Sequence, residues 1–195
     1  MKGIALIAVL AFWAAQAFAE EGNYLLGPIE DAPIEIDVPE VSQDDRPVGV
    51  PDNAIRYLFW LRNVGGDALT YGPFPPRLFG IQAPERRQPF YSEATRALRF
   101  MLATGTDANN RGAAYVVDMG LGRDGSKSGQ LYHSNEGYDI NASLVCAGYA
   151  WWDRERAPDS KILSDCEAEA RAKKLGIWSE ENPIPPWEWR RGVRE

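Results

Sequence analysis

Apolar and polar residues alternate along several short segments in the middle of the chain. The clearest example begins at Ile55, where Ile55, Tyr57, Phe59 and Leu61 occupy every second position. A period of two is typical of a β-strand with one buried face. Further strands are predicted at Ala68 to Tyr71, Arg77 to Ile81, Gly112 to Met119, Gln130 to His133 and Tyr138 to Ile140.

Three other segments carry apolar residues at helical spacing. The first begins at Ser92, a favoured N-cap residue, and ends before Gly105. The second covers Ala142 to Ala147, and the third begins after Asp159. The faces we expect to be buried are Ala94, Ala97, Leu98, Met101 and Leu102 in the first helix and Ile162, Leu163, Cys166 and Ala170 in the third. Short strands with helices between them predict a five-stranded OB-fold Greek-key barrel with three α-helices.

Residues 1–19 have the composition of a signal peptide. Lys2 provides a positive charge, Ile4 to Ala15 is almost entirely apolar, and Ala17 and Ala19 form a small-x-small cleavage site. The apolar run is short for a membrane span, although an uncleaved N-terminal anchor is the alternative. We therefore expect the mature chain to be periplasmic or secreted, with no membrane span.

Two regions follow the signal peptide. Residues 20–53 are acidic and rich in proline, so we expect a largely irregular, mobile arm. Within it, Ile34 to Val38 alternates and is a candidate for a short edge strand. Residues 54–195 contain the other predicted strands and all the helices, and we expect them to form one monomeric domain.

The formal net charge of −7 limits the classes of partner. Non-specific affinity for nucleic acid comes from neutralising phosphates, so a dedicated nucleic-acid-binding protein is usually basic. The composition therefore counts against tight, sequence-independent binding, although a local basic pocket is compatible with it. His133 is the single histidine, which excludes a His-based nucleophile or zinc constellation.

The two cysteines, Cys146 and Cys166, fall on the second and third predicted helices. An even number of cysteines in an exported protein indicates a disulfide. The alternative is that both are small buried apolar residues. In the chain-entropy model, closing a loop of this size contributes roughly 3 kcal/mol to stability.

The candidate chemistry lies between Arg77 and Glu85. We predict a strand that presents Arg77 and a sharp turn at Ala83-Pro84 that presents Glu85. A guanidinium group binds phosphate oxygens in a fork, and a carboxylate can orient or deprotonate a water molecule. Between them, the position best suited to complete a metal site holds an amide, Gln82. The alternatives are an ordinary surface arginine and a glutamate that caps the turn.

Four blocks of sequence resemble the staphylococcal nuclease (thermonuclease-like) family, in the same order along the chain. The blocks are Gly66-Asp67, Arg77 to Glu85, Asn141 to Trp151, and Glu167 to Arg190. The resemblance implies an OB-type barrel with a cleft for nucleotide phosphates. It also implies hydrolysis of phosphodiesters with one calcium ion.

The resemblance assigns roles to four residues of that cleft. Asp67 and Gln82 fall on the two calcium-ligand positions, Arg77 on a phosphate-binding position, and Glu85 on that of the general base. Alternatively, Asp67 is an ordinary turn residue after two glycines. Calcium is held by several oxygens and its affinity rises with ligand charge, so we expect the amide of Gln82 to weaken calcium binding.

The family also has a Lys-Tyr-Gly-Arg run whose tyrosine and arginine contact phosphates. The best match is Lys127 to Gln130, which keeps the lysine and glycine but has Gln130 at the arginine position. Arg123 is the alternative candidate for this arginine. Loss of one preorganised donor to a transition-state anion lowers a rate by roughly 10²–10³.

Several aromatic and basic residues have two interpretations. Trp151 and Trp152 can stack on a base, but core packing is the expectation. Arg154 and Arg156 are expected in a solvated loop rather than on phosphate. The C-terminal tryptophans, Trp187 and Trp189, are expected to pack the tail onto the barrel.

These departures favour a degenerate phosphodiesterase cleft. We expect a binding or interaction module, with weak binding of nucleic acid or nucleotide phosphate and an unidentified protein partner. Calcium is a doubtful cofactor on these grounds. The alternative is a calcium-dependent nuclease that hydrolyses extracellular DNA or RNA.

Overall fold

The computed structural model describes residues 46–61, 64–69, 77–103, 111–122 and 124–194. The signal peptide and most of the acidic arm lie outside these ranges and stay predictions. Within the described ranges, none of the helices has the length and apolar character needed to cross a bilayer.

Two β-sheets organise the described residues. In chain order their strands are β1 (Ile55–Trp60), β2 (Val64–Gly65), β3 (Ala68–Leu69), β4 (Arg77–Leu78), β5 (Ile81–Gln82), β6 (Arg111–Leu121), β7 (Lys127–His133) and β8 (Trp151–Trp152). The larger sheet has the order β1-β6-β7-β4-β3-β2, and β5 pairs with β8 in the smaller one. All these neighbours are antiparallel except β4 and β7, which run parallel.

This sheet arrangement agrees in part with the predicted barrel. Over the described residues, the large sheet has six strands and is curled like half of a barrel. Closure of five strands into a complete barrel stays a prediction. The chain reaches the second sheet because the predicted strand from Arg77 to Ile81 is broken. Phe79 and Gly80 form a turn, and Gly80 has a φ of +73°. A Cβ at Gly80 would lie 2.9 Å from the Cβ of Ala157, so the tight approach favours glycine there.

The three predicted helices are present as α1 (Tyr91–Ala103), α2 (Ile140–Cys146) and α3 (Lys161–Ala172). A short fourth helix, α4 (Pro186–Arg190), follows a 3₁₀ turn at Gly176–Ser179 and was not predicted. Three details differ from the sequence analysis. Ser92 lies within α1 rather than before it, α2 begins at Ile140 rather than at Ala142, and Ile162 is 41% exposed.

Apolar side chains from α1, α2 and α3 cover the concave side of the sheets. The predicted faces are buried apart from Ile162, and all their buried residues except Ala170 share one core with Phe59, Leu78 and Leu131. A second cluster contains Trp151, Ala170, Ile177 and Trp178, with Trp187 packed against it. Core packing is therefore the outcome for Trp151. The second cluster also anchors the C-terminal segment, as predicted for Trp187.

The end of the predicted arm lies on the outer surface of β6. Val50 and Ala54 are buried in a small cluster with Tyr115. The guanidinium of Arg46 lies 5.8 Å from the Tyr115 ring centroid and donates to the Pro51 carbonyl. Residues 46–53 are irregular in conformation but docked on the domain.

The predicted disulfide is confirmed. Cys146, the last residue of α2, is bonded to Cys166 in α3, and their Cα atoms are 4.2 Å apart. The bond spans 20 residues and holds together two helices that contribute to the same core. It therefore supports the packing beneath β8 as well as restricting the unfolded chain.

Removing this bond should lower the free energy of unfolding by roughly 3 kcal/mol, the loop-closure value for a loop of this size. The measurement is urea unfolding of wild type and of the double variant Cys146→Ala/Cys166→Ala. Reduced wild type is the matched control, since it keeps both sulfurs. An unchanged urea midpoint in both samples would contradict a stabilising role.

Candidate functional site

A cleft of about 800 Å³ opens beside the turn that joins β5 to α1. Four of the predicted site residues line it: Asp67, Arg77, Gln82 and Glu85. They come from the β2–β3 turn, from β4, from β5 and from the segment after β5. The break at Gly80 therefore brings residues from both sheets to one site.

Asp67 and Arg77 face each other at one end of the cleft. The Asp67 side chain is 15% exposed, and its Oδ1 is 3.4 Å from Nη1 of Arg77. Its Oδ2 accepts from the backbone N–H of Ala83 at 3.3 Å. Burial raises the pKa of Asp67 to about 6, an increase that the Arg77 charge and the Ala83 hydrogen bond oppose.

Arg77 remains accessible to a ligand. Its side chain is 45% exposed, and its Nε is 3.4 Å from Oδ2 of Asp124 on the opposite side from Asp67. Both carboxylate contacts are long for charge-assisted hydrogen bonds. The guanidinium is thus oriented by two acids without being enclosed by them.

Gln82 connects an acidic and a basic neighbour. Its Nε2 donates to Oδ2 of Asp153 at 2.8 Å, and its Oε1 accepts from Nη2 of Arg190 at 2.8 Å. Asp153 is 7% exposed, and its Oδ1 accepts from the backbone N–H groups of Glu155 and Arg156. A carboxylate in place of Gln82 would face the carboxylate of Asp153. The amide is therefore the group that satisfies both neighbours here.

Glu85 also contacts Arg190, through its Oε1 and Nη1 of the arginine. The backbone N–H of Glu85 donates to Oε1 of Gln88 at 2.8 Å. The other end of the Gln88 amide donates to the carbonyl of Ile184, and the Gln88 side chain is buried. One amide thus ties the Glu85 turn to the segment that carries α4.

Arg190 is the residue that the sequence analysis missed. It ends α4, and it lies one helical turn after Trp187, so the two share a helix face. Pro186 marks the start of a helix, and Trp187 marks the face that packs inward. Those two signals were enough to place Arg190 next to the domain, but not to show which surface it contacts.

The predicted phosphate-binding run lies elsewhere. Neither Lys127 nor Gln130 is among the described residues that line the cleft. The Gln130 Nε2 donates to Oδ2 of Asp139 at 2.6 Å, and Asp139 Oδ1 caps α2 by accepting from the N–H of Ala142. Gln130 therefore supports a helix cap in this structure. Arg123, the alternative arginine, is outside the described residues.

Two further arginines lie in the loop after β8, as predicted, and also line the cleft. Arg154 pairs with the buried Glu167 at 2.5 Å and lies 4.7 Å from the Trp152 ring centroid. Arg156 lies 5.5 Å from the ring centroid of Phe79. Both arginines line the cleft and add positive charge opposite its carboxylates.

The ligand oxygens present in the cleft do not suit a calcium ion. Calcium requires several oxygen ligands, and its affinity depends on their negative charge. Oε1 of Gln82 and Oε1 of Glu85 are engaged by Arg190, and Oδ1 of Asp67 faces Arg77. Across the described part of the chain, no group of three or more acidic, histidine or cysteine residues is arranged to hold a metal.

A curled β-sheet with helices thus frames a cleft lined by arginines and carboxylates. A family model described as "Staphylococcal nuclease homologue" matches residues 76–180, more than half of the chain. The chain belongs to this family.

Similar proteins come from several bacteria and plants. An "Uncharacterized endonuclease" of Escherichia coli O157:H7 is 33% identical over 58% of this chain and 69% of its own length. "Protein ParB" of Escherichia coli is 34% identical over 67% of this chain and 77% of its own length. A "Micrococcal nuclease" of Shigella flexneri is 33% identical over 60% and 68%, respectively.

The raised pKa of Asp67 predicts that ionisation of this side chain lowers the free energy of unfolding. Because the folded-state pKa of about 6 lies above the reference value of 3.8, the free energy of unfolding falls as the pH rises between these values. Asp67→Asn removes this dependence, so the variant should gain up to about 3 kcal/mol over wild type at pH 7.5 and almost nothing at pH 3.5. Urea unfolding at both pH values checks this; equal differences at the two would contradict it.

The Gln82–Asp153 contact predicts a specific mutational coupling. Gln82→Glu keeps the side-chain length but sets a carboxylate against Asp153, and should lower the free energy of unfolding by about 1–3 kcal/mol at pH 7. Adding Asp153→Asn exchanges the acid and the amide between the two positions and should recover most of that loss. Urea unfolding of both single variants and the double variant gives the coupling energy. A purely additive double variant would show that the two side chains do not interact.

Proposed function

We propose that this chain is an exported protein that binds nucleic-acid or nucleotide phosphate in its cleft and hydrolyses it poorly or not at all. One observation carries the proposal: Arg190 engages Gln82 and Glu85, the residues expected to serve a metal and a base, while Arg77 stays half exposed. The cleft thus keeps a group that binds phosphate while its hydrolytic groups are occupied. Export rests on the N-terminal sequence alone.

Binding is supported by the charge distribution within the cleft. Arg77 offers N–H groups to a phosphate, and Arg154 and Arg156 line the same cavity. The chain as a whole has a formal net charge of −7, which opposes long-range attraction of a polyanion. We therefore expect modest affinity that falls steeply with added salt.

Poor hydrolysis is supported by what surrounds Glu85 and Gln82. Oε1 of Glu85 is in an ion pair with Arg190, so that oxygen is not available to accept a proton from water. The amide at Gln82 contributes no charge to a calcium ion. Each loss alone weakens catalysis, and both occur in this chain.

The second candidate is a calcium-dependent nuclease acting on extracellular DNA or RNA. It is favoured by the presence of Asp67, Arg77 and Glu85 in a single cleft. Relatives whose names are "Uncharacterized endonuclease" and "Micrococcal nuclease" also favour it. This function requires Arg190 to leave Glu85 and a metal to compete for the same oxygens.

A labelled single-stranded DNA oligonucleotide tests the proposal. We expect fluorescence anisotropy to show binding to the mature protein at low salt in EDTA, and at least a tenfold weaker affinity for Arg77→Ala. The control is Lys161→Ala, which removes one charge from the 86% exposed start of α3. This control should change the affinity less than twofold.

Cleavage is followed on the same oligonucleotide with calcium in place of EDTA. The expected result is intact DNA over hours. Turnover at an ordinary enzymatic rate of about 1 s⁻¹ or more would establish the nuclease instead. Absence of binding at low salt in both buffers would overturn the phosphate-binding proposal itself.

A further inference from the structure

The C-terminal helix places a cation on the oxygens that a metal ion would need. Nη2 of Arg190 is 2.8 Å from Oε1 of Gln82, and Nη1 forms an ion pair with Oε1 of Glu85. These two oxygens belong to the residues expected to hold calcium and to act as the base. We propose that Arg190 takes the place of the metal ion in this cleft and binds the incoming phosphate together with Arg77.

The position of Arg190 is fixed by its own helix rather than by the ion pair. Pro186 is buried, and Trp187 packs against the cluster that contains Trp151 and Trp178. Gln88 holds the preceding segment through the Ile184 carbonyl. The backbone of α4 is therefore anchored on the domain, so little conformational entropy is lost when the guanidinium orients.

The same buried amide sets the distance between Arg190 and Glu85. Gln88 accepts from the N–H of Glu85 and donates to the carbonyl of Ile184, so it contacts both the turn that carries Glu85 and the segment that leads into α4. The turn that carries Glu85 and the segment that carries Arg190 are consequently held to each other. A guanidinium at this position is preorganised, as an anion-binding group must be to act efficiently.

Charge explains why Gln82 and Arg190 occur together. A divalent ion would need additional negative ligands at this point, whereas a single guanidinium is balanced by Glu85 and hydrogen-bonded by a neutral amide. Arg190 has more N–H donors than these two contacts use, and its side chain is 49% exposed. The unused donors are available to phosphate oxygens in the cleft.

The inference has two consequences, and only the second rests on the proposed phosphate binding. The first consequence concerns calcium: Arg190 excludes it, so Arg190→Gln should bind calcium at least tenfold more tightly than wild type in a calorimetric titration. The second concerns phosphate: Arg190→Gln should bind the oligonucleotide in EDTA at least tenfold more weakly than wild type. Asp67, Gln82 and Glu85 are unchanged in this variant.

Arg191→Gln is the matched control. It removes the same charge from the same cleft, next to the same helix, but Arg191 pairs with Glu188 at 3.0 Å rather than with Gln82 or Glu85. We expect its calcium and oligonucleotide affinities to stay within twofold of wild type. Urea unfolding of both variants verifies that α4 and the domain remain folded; since Arg190 is half exposed, we expect similar midpoints.

The outcomes separate the two proposals. If wild type fails to bind the oligonucleotide but Arg190→Gln gains calcium affinity, the proposed function fails and the metal-replacing role of Arg190 stands. If wild type binds and Arg190→Gln binds equally well, or if calcium affinity does not rise in that variant, the inference is overturned. If Arg191→Gln changed the calcium and oligonucleotide affinities by the same factors as Arg190→Gln, net charge alone would explain both effects. That result would also overturn the inference.

Discussion

The hydrogen-bonded amide of Gln82 is the contact on which the geometry of the cleft depends. It is the point where a buried aspartate from the β8 side and an arginine from the C-terminal helix meet a residue of β5. Asp153 needs a donor because it is almost completely buried, and Arg190 needs an acceptor. An amide supplies both with no net charge, which neither a carboxylate nor an aliphatic side chain can do.

The fold serves this contact by bringing distant segments together. The turn at Gly80 directs β5 away from the large sheet and onto β8, so Gln82 pairs with Trp151. Trp151 in turn belongs to the cluster against which Trp187 packs. Backbone pairing on one side and aromatic packing on the other therefore bring Gln82 and Arg190 together, although they are 108 residues apart in the chain.

Membership of a nuclease family defines the architecture of the cleft more firmly than its chemistry. Asp67, Arg77 and Glu85 occupy one cavity, as the resemblance implied. Their partners, however, are protein groups: Arg77 lies between two acids and Glu85 is paired with Arg190. Function in such a site depends on whether an arginine of the protein or a bound metal ion neutralises the carboxylates.

The amino-acid sequence by itself determined the features that depend on local pattern. Helical periodicity located α1, α2 and α3, the alternation from Ile55 located β1, and the cysteine positions predicted the disulfide. The motif from Arg77 to Glu85 identified three predicted site residues of the cleft, and the Gly66-Asp67 block identified the fourth, Asp67. These features are encoded within a few residues of one another, so local physics or a contiguous motif was sufficient to find them.

Only the tertiary structure decided the partners of those residues. The predicted strand is broken by a turn at Gly80, where the close approach of Ala157, far along the chain, leaves no room for a Cβ and favours glycine. Gln130 was assigned to phosphate by its place in a motif, yet its amide donates a hydrogen bond to Asp139, the N-cap of α2. Arg190 lay in a tail with no local sign of which surface it contacts. Long-range hydrogen bonds and ion pairs depend on how separate elements pack, and a linear pattern does not contain that information.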